Sequence, residues 1–408
     1  MSGSIKDRVA IAGMGCTKFG ERWDAGRNDL SVESTYAALE DAGLEPKDIQ
    51  AVWLGTNTSG KTGQSVAMAI KAFGYLPITR VENACATASD AFRNACYSVA
   101  AGIYDIVLAV GVEKLKDTGF SGLGGEMPDP RHVLEPMHTA PGDFAMLATT
   151  YFARYGLSYE AGKHMLARIS WKSHRNGALN RNAHFQKEVP LETMINAPLI
   201  AWPLGLYDCC GVSDGSAAAV ITTPEIARSL RKGKEPPVFV KALQISVSPK
   251  DGKFNTDFDY THIEANRRAG NAAFKEAGII NPRDEISMAE VHDCFSITEA
   301  VTMEDLHFST VGKTRDDIES GRFDLDGAQP IQADGGLKCF GHPIGASGLR
   351  MIYEMYTQLQ GRADELLIPG KHQASRQIKN PKLGLTHNLG GTPDGPTIYV
   401  GIVGLEEA

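Results

Sequence analysis

Along the first third of the chain, short apolar runs alternate with stretches whose apolar positions recur at helical spacing. RVAIAGMG (residues 8–15) reads as a buried strand, SVESTYAALEDAG (31–43) as a helix and AVWLGT (51–56) as a second strand. That alternation predicts a parallel α/β sheet, whose strands, covered on both faces, have no polar side to show. A helix dominated by Ala, Ser and Cys comes next over residues 84–101, and IYDIVLAVGVE (103–113) continues as a fully buried strand. So large a share of small residues predicts a helix sandwiched on all sides.

The same punctuation returns in the second half. EDAGLEPKDIQAV (residues 40–52) and EAGIINPRDEISMAEV (276–291) each run from a helix end through Ala-Gly, an aliphatic residue, a Pro followed by a basic residue and Asp, then Ile and a strand. Gly and Pro are general helix punctuation, so the match alone could be chance. The downstream segments strengthen it: the small-residue helix at Cys85 and the strand at Ile103 come after the first copy, GHPIGASGLRMIYEMYTQL (341–359) and TIYVGIV (397–403) after the second. Two copies of one β-α-β-α-β unit is the economical reading. Between them residues 116–206 differ in texture, with the turn-rich FSGLGGEMPDPRH (120–132), helical patterns at 142–155 and 159–176, and the basic cluster Arg168, Lys172, Arg175 and Arg181. This stretch reads as an insertion, after which VSDGSAAAVITT (212–223) resumes buried-strand character. The expected organisation is an N-terminal half at 1–115 and 207–237, an inserted domain at 116–206 and a C-terminal half at 238–408.

Composition narrows the function classes. With 408 residues, 42% of them apolar and 22% charged, the chain is globular and long enough for two or three cores. A net charge of -8 gives no overall cationic bias toward nucleic acid or anionic lipid, though a local basic pocket for one phosphorylated ligand remains allowed. Seven cysteines, an odd number without a CxxC pair, point to a reducing, cytoplasmic setting. No stretch of about 18 uncharged apolar residues exists to span a bilayer.

Several segments carry candidate chemistry. Cys85 sits in VENACATASDAF, where a strand gives way to the small-residue helix. A thiol at a helix N-terminus feels the positive end of the macrodipole, which predicts a thiolate stabilised below the usual value of about 8.5. A buried cysteine filling a hole is the plainer alternative for that residue alone. His342, in GGLKCFGHPIGASG, stands at the matching place of the second repeat, among glycines dense enough to let backbone approach a ligand. His292 and Cys294 come after the strand SMAEV, at the edge where parallel sheets keep their sites, while Asp293 would point the other way and support a loop. THNLGGTPDGP (386–396) also precedes a strand and sets His387 and Asn388 beside Gly390 and Gly391, whose N–H groups suit an oxyanion. A cysteine peptidase would need an orienting Asn or Asp that is not evident, and no metal is expected, since only His292 and Cys294 fall at ligand spacing.

Taken together, NACATASDAF, HDCF, GHPIGASG and HNLGG, in that order and spacing, resemble the thiolase superfamily. WPLGLYDCCGVSDGSAA (202–218) and the opening VAIAGMGCTKFG are also typical. The chain is most similar to the sterol-carrier-protein type of thiolase and its bacterial and archaeal acetyl-CoA acetyltransferase-like relatives. The resemblance runs from Arg8 to Val403. It implies a thiolase fold: duplicated β-α-β-α-β units in a five-layer α-β-α-β-α core, with an inserted loop domain that holds coenzyme A. It also implies cleavage of a 3-oxoacyl-CoA by coenzyme A, or the reverse Claisen condensation. Cys85 is then the acylated nucleophile, His342 its activator and Cys294 the acid/base at the α-carbon. His292 and His342 form one oxyanion hole, and the N–H groups of Cys85 and Gly390 the second. The basic cluster Arg168, Lys172, Arg175 and Arg181 suits the coenzyme A phosphates, or is simply a solvated helix face. Better-known thiolases carry a second cysteine where this chain has Asn388, a departure that assigns the HDCF subgroup.

The acyl group stays open. A bulky, branched or aromatic 3-oxoacyl-CoA such as benzoylsuccinyl-CoA is one expectation, and acetoacetyl-CoA the alternative. A thiolase-fold retro-aldolase acting on a steroid-type acyl-CoA is disfavoured by Cys85, and a ketoacyl synthase by GHPIGASG and HDCF. A non-catalytic lipid-carrier or assembly subunit is disfavoured because every catalytic position is filled. The resemblance further implies a homodimer through the core and a small partner subunit with a zinc ribbon and an OB fold.

Overall fold

The computed structural model describes residues 3–60, 62–118, 139–249, 258–371 and 374–406, so the FSGLGGEMPDPRH segment lies outside the described residues. The first apolar run is strand β1 (Ala10–Cys16), followed by helix α1 (Arg27–Ala42). Helix α1 ends on Gly43, whose φ of 75° is left-handed and lets its N–H cap the carbonyls of Glu40 and Leu39. Pro46 then opens a short helical turn that leads into β2 (Ala51–Gly55). Helix α2 (Gln64–Ala69), β3 (Ile78–Val81), α3 (Thr87–Ala100) and β4 (Ile106–Glu113) complete the first stretch. The middle region supplies α4 (Ala140–Arg154), α5 (Tyr159–Gly177), α6 (Leu191–Ile195) and the small hairpin β5 (Leu199–Ala201) and β6 (Leu204–Gly205). Strand β7 (Gly215–Thr222) and α7 (Pro224–Leu230) then return to the first sheet.

The second half repeats the plan. Strand β8 (Val238–Val247) leads to α8 (Glu264–Ala277), which ends on left-handed Gly278 before Pro282 opens α9 (Pro282–Glu285) and the chain enters β9 (Met288–Glu290). Helices α10 (Ser296–Asp305), α11 (Thr314–Glu319), α12 (Gly336–Phe340) and α13 (Ser347–Leu359) come next, then β10 (Leu383–Gly390) and β11 (Thr397–Gly404). The repeated sequence punctuation is thus a repeated structural turn.

Strand order proves the duplication. The sheet runs β3-β2-β4-β7-β1-β8-β11-β10-β9, with β2 parallel to β3 and β4, and β7 antiparallel to β4 and β1. The second half has the same order: a bridge at Ile331 lies parallel to Ala289 of β9, β9 is parallel to β10, and β11 is antiparallel to β10 and β8. The halves join edge to edge where Ala10 and Ile11 of β1 meet Phe239 and Val238 of β8.

Strand alternation then sorts side chains into layers. Leu108, Val110, Ala218 and Val220 face Leu30, Ala38 and Leu39 of α1. Their neighbours Val107, Ala109, Ala217 and Ala219 face Ala88, Phe92 and Ala95 of α3 together with Leu349 and Ile352 of α13. Helix α13 rests on β10 as well as on β7, and α8 covers the outer face of β8 and β11. The result is the five-layer α-β-α-β-α core, with α3 and α13 in the middle.

Two expectations change. Helix α3 is not enclosed all round, because Arg93 and Tyr97 run along an open edge with the guanidinium over the ring. The HNLGG motif does not merely precede a strand; it lies at the end of β10, where His387 to Gly390 pair with β11 just beyond the residues that pair with β9. Polar His387 and Asn388 interrupt the apolar run there, and both are buried. Among the described residues no helix is long and apolar enough to cross a membrane.

Candidate active site

The duplication brings the N-termini of α3 and α13 together. A Cβ on Gly348 in the first turn of α13 would stand 2.1 Å from Ser89 Oγ of α3, so the two helix starts touch. The turn before α3 carries Cys85 and the turn before α13 carries His342. The sulfur of Cys85 and ring nitrogens of His292 and His342 lie within 4.8 Å of one another, the one such group of three or more His, Cys, Asp or Glu side chains among the described residues.

Cys85 sits next to Ala84, whose φ of 47° is rare for a residue with a side chain and costs about 1 kcal/mol or more. Glu82 Oε1 accepts the Ala84 N–H at 2.7 Å and holds the turn. The expected lowering of the thiol pKa is not found. Burial pushes the Cys85 thiol up to about 12, and the backbone N–H groups of Gly391 and of Cys85 itself only partly oppose this. Gly390 ends β10 against the same turn. A Cβ there would be 2.7 Å from the Asn83 carbonyl oxygen and 3.0 Å from the Cys85 nitrogen, so only glycine lets the strand close on the Cys85 turn.

The contacts of Ser347 assign a tautomer to His342. Ser347 Oγ donates to the Pro343 carbonyl at 3.1 Å, so its contact of 2.8 Å with His342 Nδ1 is accepted from an Nδ1–H. Nε2 therefore keeps its lone pair, and it is buried without a partner. Burial, with Arg350 nearby, lowers the imidazole to about 3, so the free ring is neutral. His292 faces it edge-on with ring centroids 5.0 Å apart. The His292 N–H donates to His387 Nδ1 at 3.3 Å, and His387 Nε2 donates in turn to Asn266 Oδ1 at 2.9 Å. His292 Nδ1 is likewise buried and unpartnered, and burial holds this ring neutral as well.

Cys294 is buried, with its sulfur 3.7 Å from Thr298 Oγ1 and its thiol held high by burial and by the nearby Cys210 and Cys85. Between His292 and Cys294, Asp293 turns away and accepts the Leu337 and Lys338 N–H groups at the start of α12. Asn388 also turns away, accepting from Ser89 Oγ at 2.5 Å.

The glycines of GHPIGASG serve a different purpose from ligand approach. A Cβ on Gly345 would lie 2.5 Å from the Val112 carbonyl oxygen, and one on Gly341, whose φ is 74°, 2.0 Å from Ser213 Oγ. They let backbone meet backbone where the two halves join.

The basic cluster is divided. Lys172 is buried with its ammonium on Glu299, and Arg168 pairs with Asp324 at 2.5 Å while stacking on Trp171. Arg175 stacks on the same ring from an exposed position, and Arg181 is exposed.

Two participants were not read from sequence. Cys210, partly buried and with its thiol pushed up to about 12 by desolvation, donates its N–H to the Cys294 carbonyl at 2.8 Å and lies near Cys85. The Cys209–Cys210 doublet was its only signal. Glu113 ends β4 fully buried and accepts backbone N–H groups from Asn57, Thr58, Ser59 and, across the halves, Gly345 at 3.0 Å. It ties the His342 turn to the first half.

Comparison with known proteins identifies the family. Residues 9–200 match the thiolase N-terminal domain family, and residues 246–400 the thiolase C-terminal domain-like family. The chain is 36% identical over 401 residues to an acetyl-CoA acetyltransferase of Methanothermobacter thermautotrophicus, covering 96% of this chain and 98% of that protein. It is 30% identical over 392 residues to the benzoylsuccinyl-CoA thiolase subunit BbsB of Thauera aromatica, covering 95% and 96%. Among solved structures, an Ltp2-ChsH2(DUF35) aldolase shares the fold over the full length of both chains, with a TM-score of 0.82 and 24% identity. Two repeats of one topology, the motifs they carry to a common point and full-length relatives of this kind together show that the chain belongs to the thiolase family of acyltransferases.

Proposed function

We propose that this chain cleaves a 3-oxoacyl-CoA with coenzyme A, or runs the reverse condensation, through an acyl-Cys85 intermediate. The observation that carries the reading is the meeting of Cys85 Sγ with a neutral His342 whose Nε2 is buried and unpartnered. Nε2 takes the thiol proton as Sγ attacks the keto carbon. The N–H groups of Cys85 and Gly390 hold the resulting alkoxide. As the alkoxide reforms a carbonyl, the bond between the α- and keto carbons breaks and its electron pair leaves on the acetyl-CoA half. Cys294 protonates that carbon, and His292 with His342 holds the thioester oxygen. A second coenzyme A then gives its thiol proton to the Cys294 thiolate and attacks acyl-Cys85. The departing Cys85 sulfur recovers its proton from His342, so every group returns to its starting state.

Segments 1–115 and 207–237 form one catalytic half and 238–408 the other, while 116–206 holds coenzyme A. Arg175 and Arg181 are free to meet its phosphates, Arg168 can do so from its place on Trp171, and Lys172 is committed to Glu299. A bulky or aromatic substrate is favoured by the likeness to a benzoylsuccinyl-CoA thiolase subunit, and acetoacetyl-CoA by the likeness to acetyl-CoA acetyltransferases. The word subunit in the first name and the DUF35 component named in the aldolase structure support a partner subunit, which we take to be the small zinc-ribbon and OB-fold protein, and the chain itself is proposed to be a homodimer. All seven cysteines are free thiols, which suits a reducing cytoplasm.

The test is coenzyme A-dependent cleavage of a panel of 3-oxoacyl-CoAs by wild type and Cys85→Ala. Loss of at least about a thousandfold in rate is expected for the variant. A retro-aldol cleavage on the same fold needs no acylated cysteine, so a variant that keeps its rate overturns the proposal.

A further inference from the structure

The centre offers more than a nucleophile and its base. Cys85 Sγ and the ring nitrogens of His292 and His342 lie within 4.8 Å of one another, a spread that small side-chain rotations close onto one tetrahedral ion. Both histidines are 1% exposed, and each has a buried nitrogen, His292 Nδ1 and His342 Nε2, without a hydrogen-bond partner. The Nδ1–H of His342 is engaged by Ser347, which fixes the lone pair on Nε2. Neighbouring contacts hold the ligands from behind. His387 holds the His292 backbone, and Glu113 holds the Gly345 turn beside His342. Cys85 as a residue is only partly buried.

We propose that Cys85, His292 and His342 form a site for a borderline divalent cation of the Zn2+ or Co2+ type, and that its occupancy switches the centre off reversibly. One thiolate and two neutral imidazoles suit such an ion, and they leave a fourth position to water. Binding releases one proton, that of the Cys85 thiol, to solvent, and the sulfur's electron pair becomes the metal–sulfur bond. Nothing is oxidised or reduced. The ion occupies the His342 lone pair needed for proton abstraction and fills the space between the two rings where the thioester oxygen would be held, so it competes with acyl-CoA. The assignment concerns the unacylated centre and does not depend on which acyl-CoA the enzyme cleaves.

The experiment titrates the EDTA-treated full-length protein with Co2+ and records its absorption spectrum. A sulfur-to-cobalt charge-transfer band in the near ultraviolet with intense tetrahedral bands in the visible is expected, and the charge-transfer band is lost in Cys85→Ser. In parallel, Zn2+ should protect Cys85 from iodoacetamide at alkaline pH, with EDTA reversing the protection and mass spectrometry locating the alkylated residue. His292→Gln and His342→Gln are expected to weaken protection by more than about tenfold. No charge-transfer band at millimolar Co2+, a band unchanged in Cys85→Ser, or protection of other cysteines but not Cys85 would overturn the proposal. Turnover of the metal-free enzyme reports separately on acyl transfer.

Discussion

Alkylation of Cys85 by iodoacetamide in the free enzyme is expected to rise about tenfold per pH unit between about pH 6 and about pH 9, without a plateau. The thiol stands at about 12 and the His342 imidazole at about 3. Moving the proton from Sγ to Nε2 is then about nine powers of ten unfavourable, on the order of 12 kcal/mol at 1.36 kcal/mol per tenfold step. Attraction between the thiolate and imidazolium so formed, at most 4.8 Å apart, returns about 3.5 kcal/mol at an effective dielectric of about 20. The ion pair stays roughly 9 kcal/mol above the neutral pair. Burial sets the sign: a raised thiol pKa makes the thiolate scarce at neutral pH and steadily commoner as pH rises. His342→Asn is expected to leave this slope unchanged while lowering turnover by about 10²–10⁴, because the proposed mechanism needs the base only when substrate draws the sulfur forward. The assay quantifies the alkylated Cys85 peptide against time at each pH, with circular dichroism confirming the fold. A wild-type plateau below about pH 8 that vanishes in His342→Asn would refute the reasoning, since it marks a preformed thiolate–imidazolium pair.

Other consequences arise from buried contacts. Glu113→Gln puts an amide where two backbone N–H groups point at one carboxylate oxygen. At about 1.5–3 kcal/mol per charge-assisted bond, denaturant unfolding should show about 3–6 kcal/mol of lost stability, with kcat reduced more than KM is raised. Lys172→Ala strands the Glu299 carboxylate and should cost about 3–5 kcal/mol without raising KM for coenzyme A, whereas Arg175→Ala should raise KM and leave stability nearly unchanged. Gly341→Ala forces a side chain onto a left-handed backbone and against Ser213 Oγ, so thermal or denaturant melts should report about 2–4 kcal/mol of destabilisation.

Much of the fold was legible because its signals are local. Gly43 and Gly278, each with a proline shortly after it, mark the same helix-ending turn in both halves, and the repeat fixes the layer plan. Cys85, His292, Cys294 and His342 could be named as candidates because each sits at an element boundary within a motif, and Cys85, His292 and His342 meet in the fold. Residues defined by long-range contacts were not. The carboxylate of Glu113 meets Gly345 across 232 positions, and nothing near it in sequence marks that partner. The thiol of Cys85 was misjudged for a related reason: the dipole of α3 is visible in sequence, but the burial that outweighs it comes from β10 and the second half. Lys172 looked like part of a basic face until the fold placed Glu299 beneath it.

The central claim is that Cys85 carries the acyl group. Wild-type enzyme is mixed rapidly with a cleaved 3-oxoacyl-CoA in the absence of free coenzyme A, quenched in acid, digested and analysed by mass spectrometry. The account predicts one acyl group, made of the keto carbon and the part of the substrate beyond it, on the peptide bearing Cys85, and its loss when coenzyme A is added. Turnover with Cys85 unmodified, or the acyl group on Cys210 or Cys294, would contradict it.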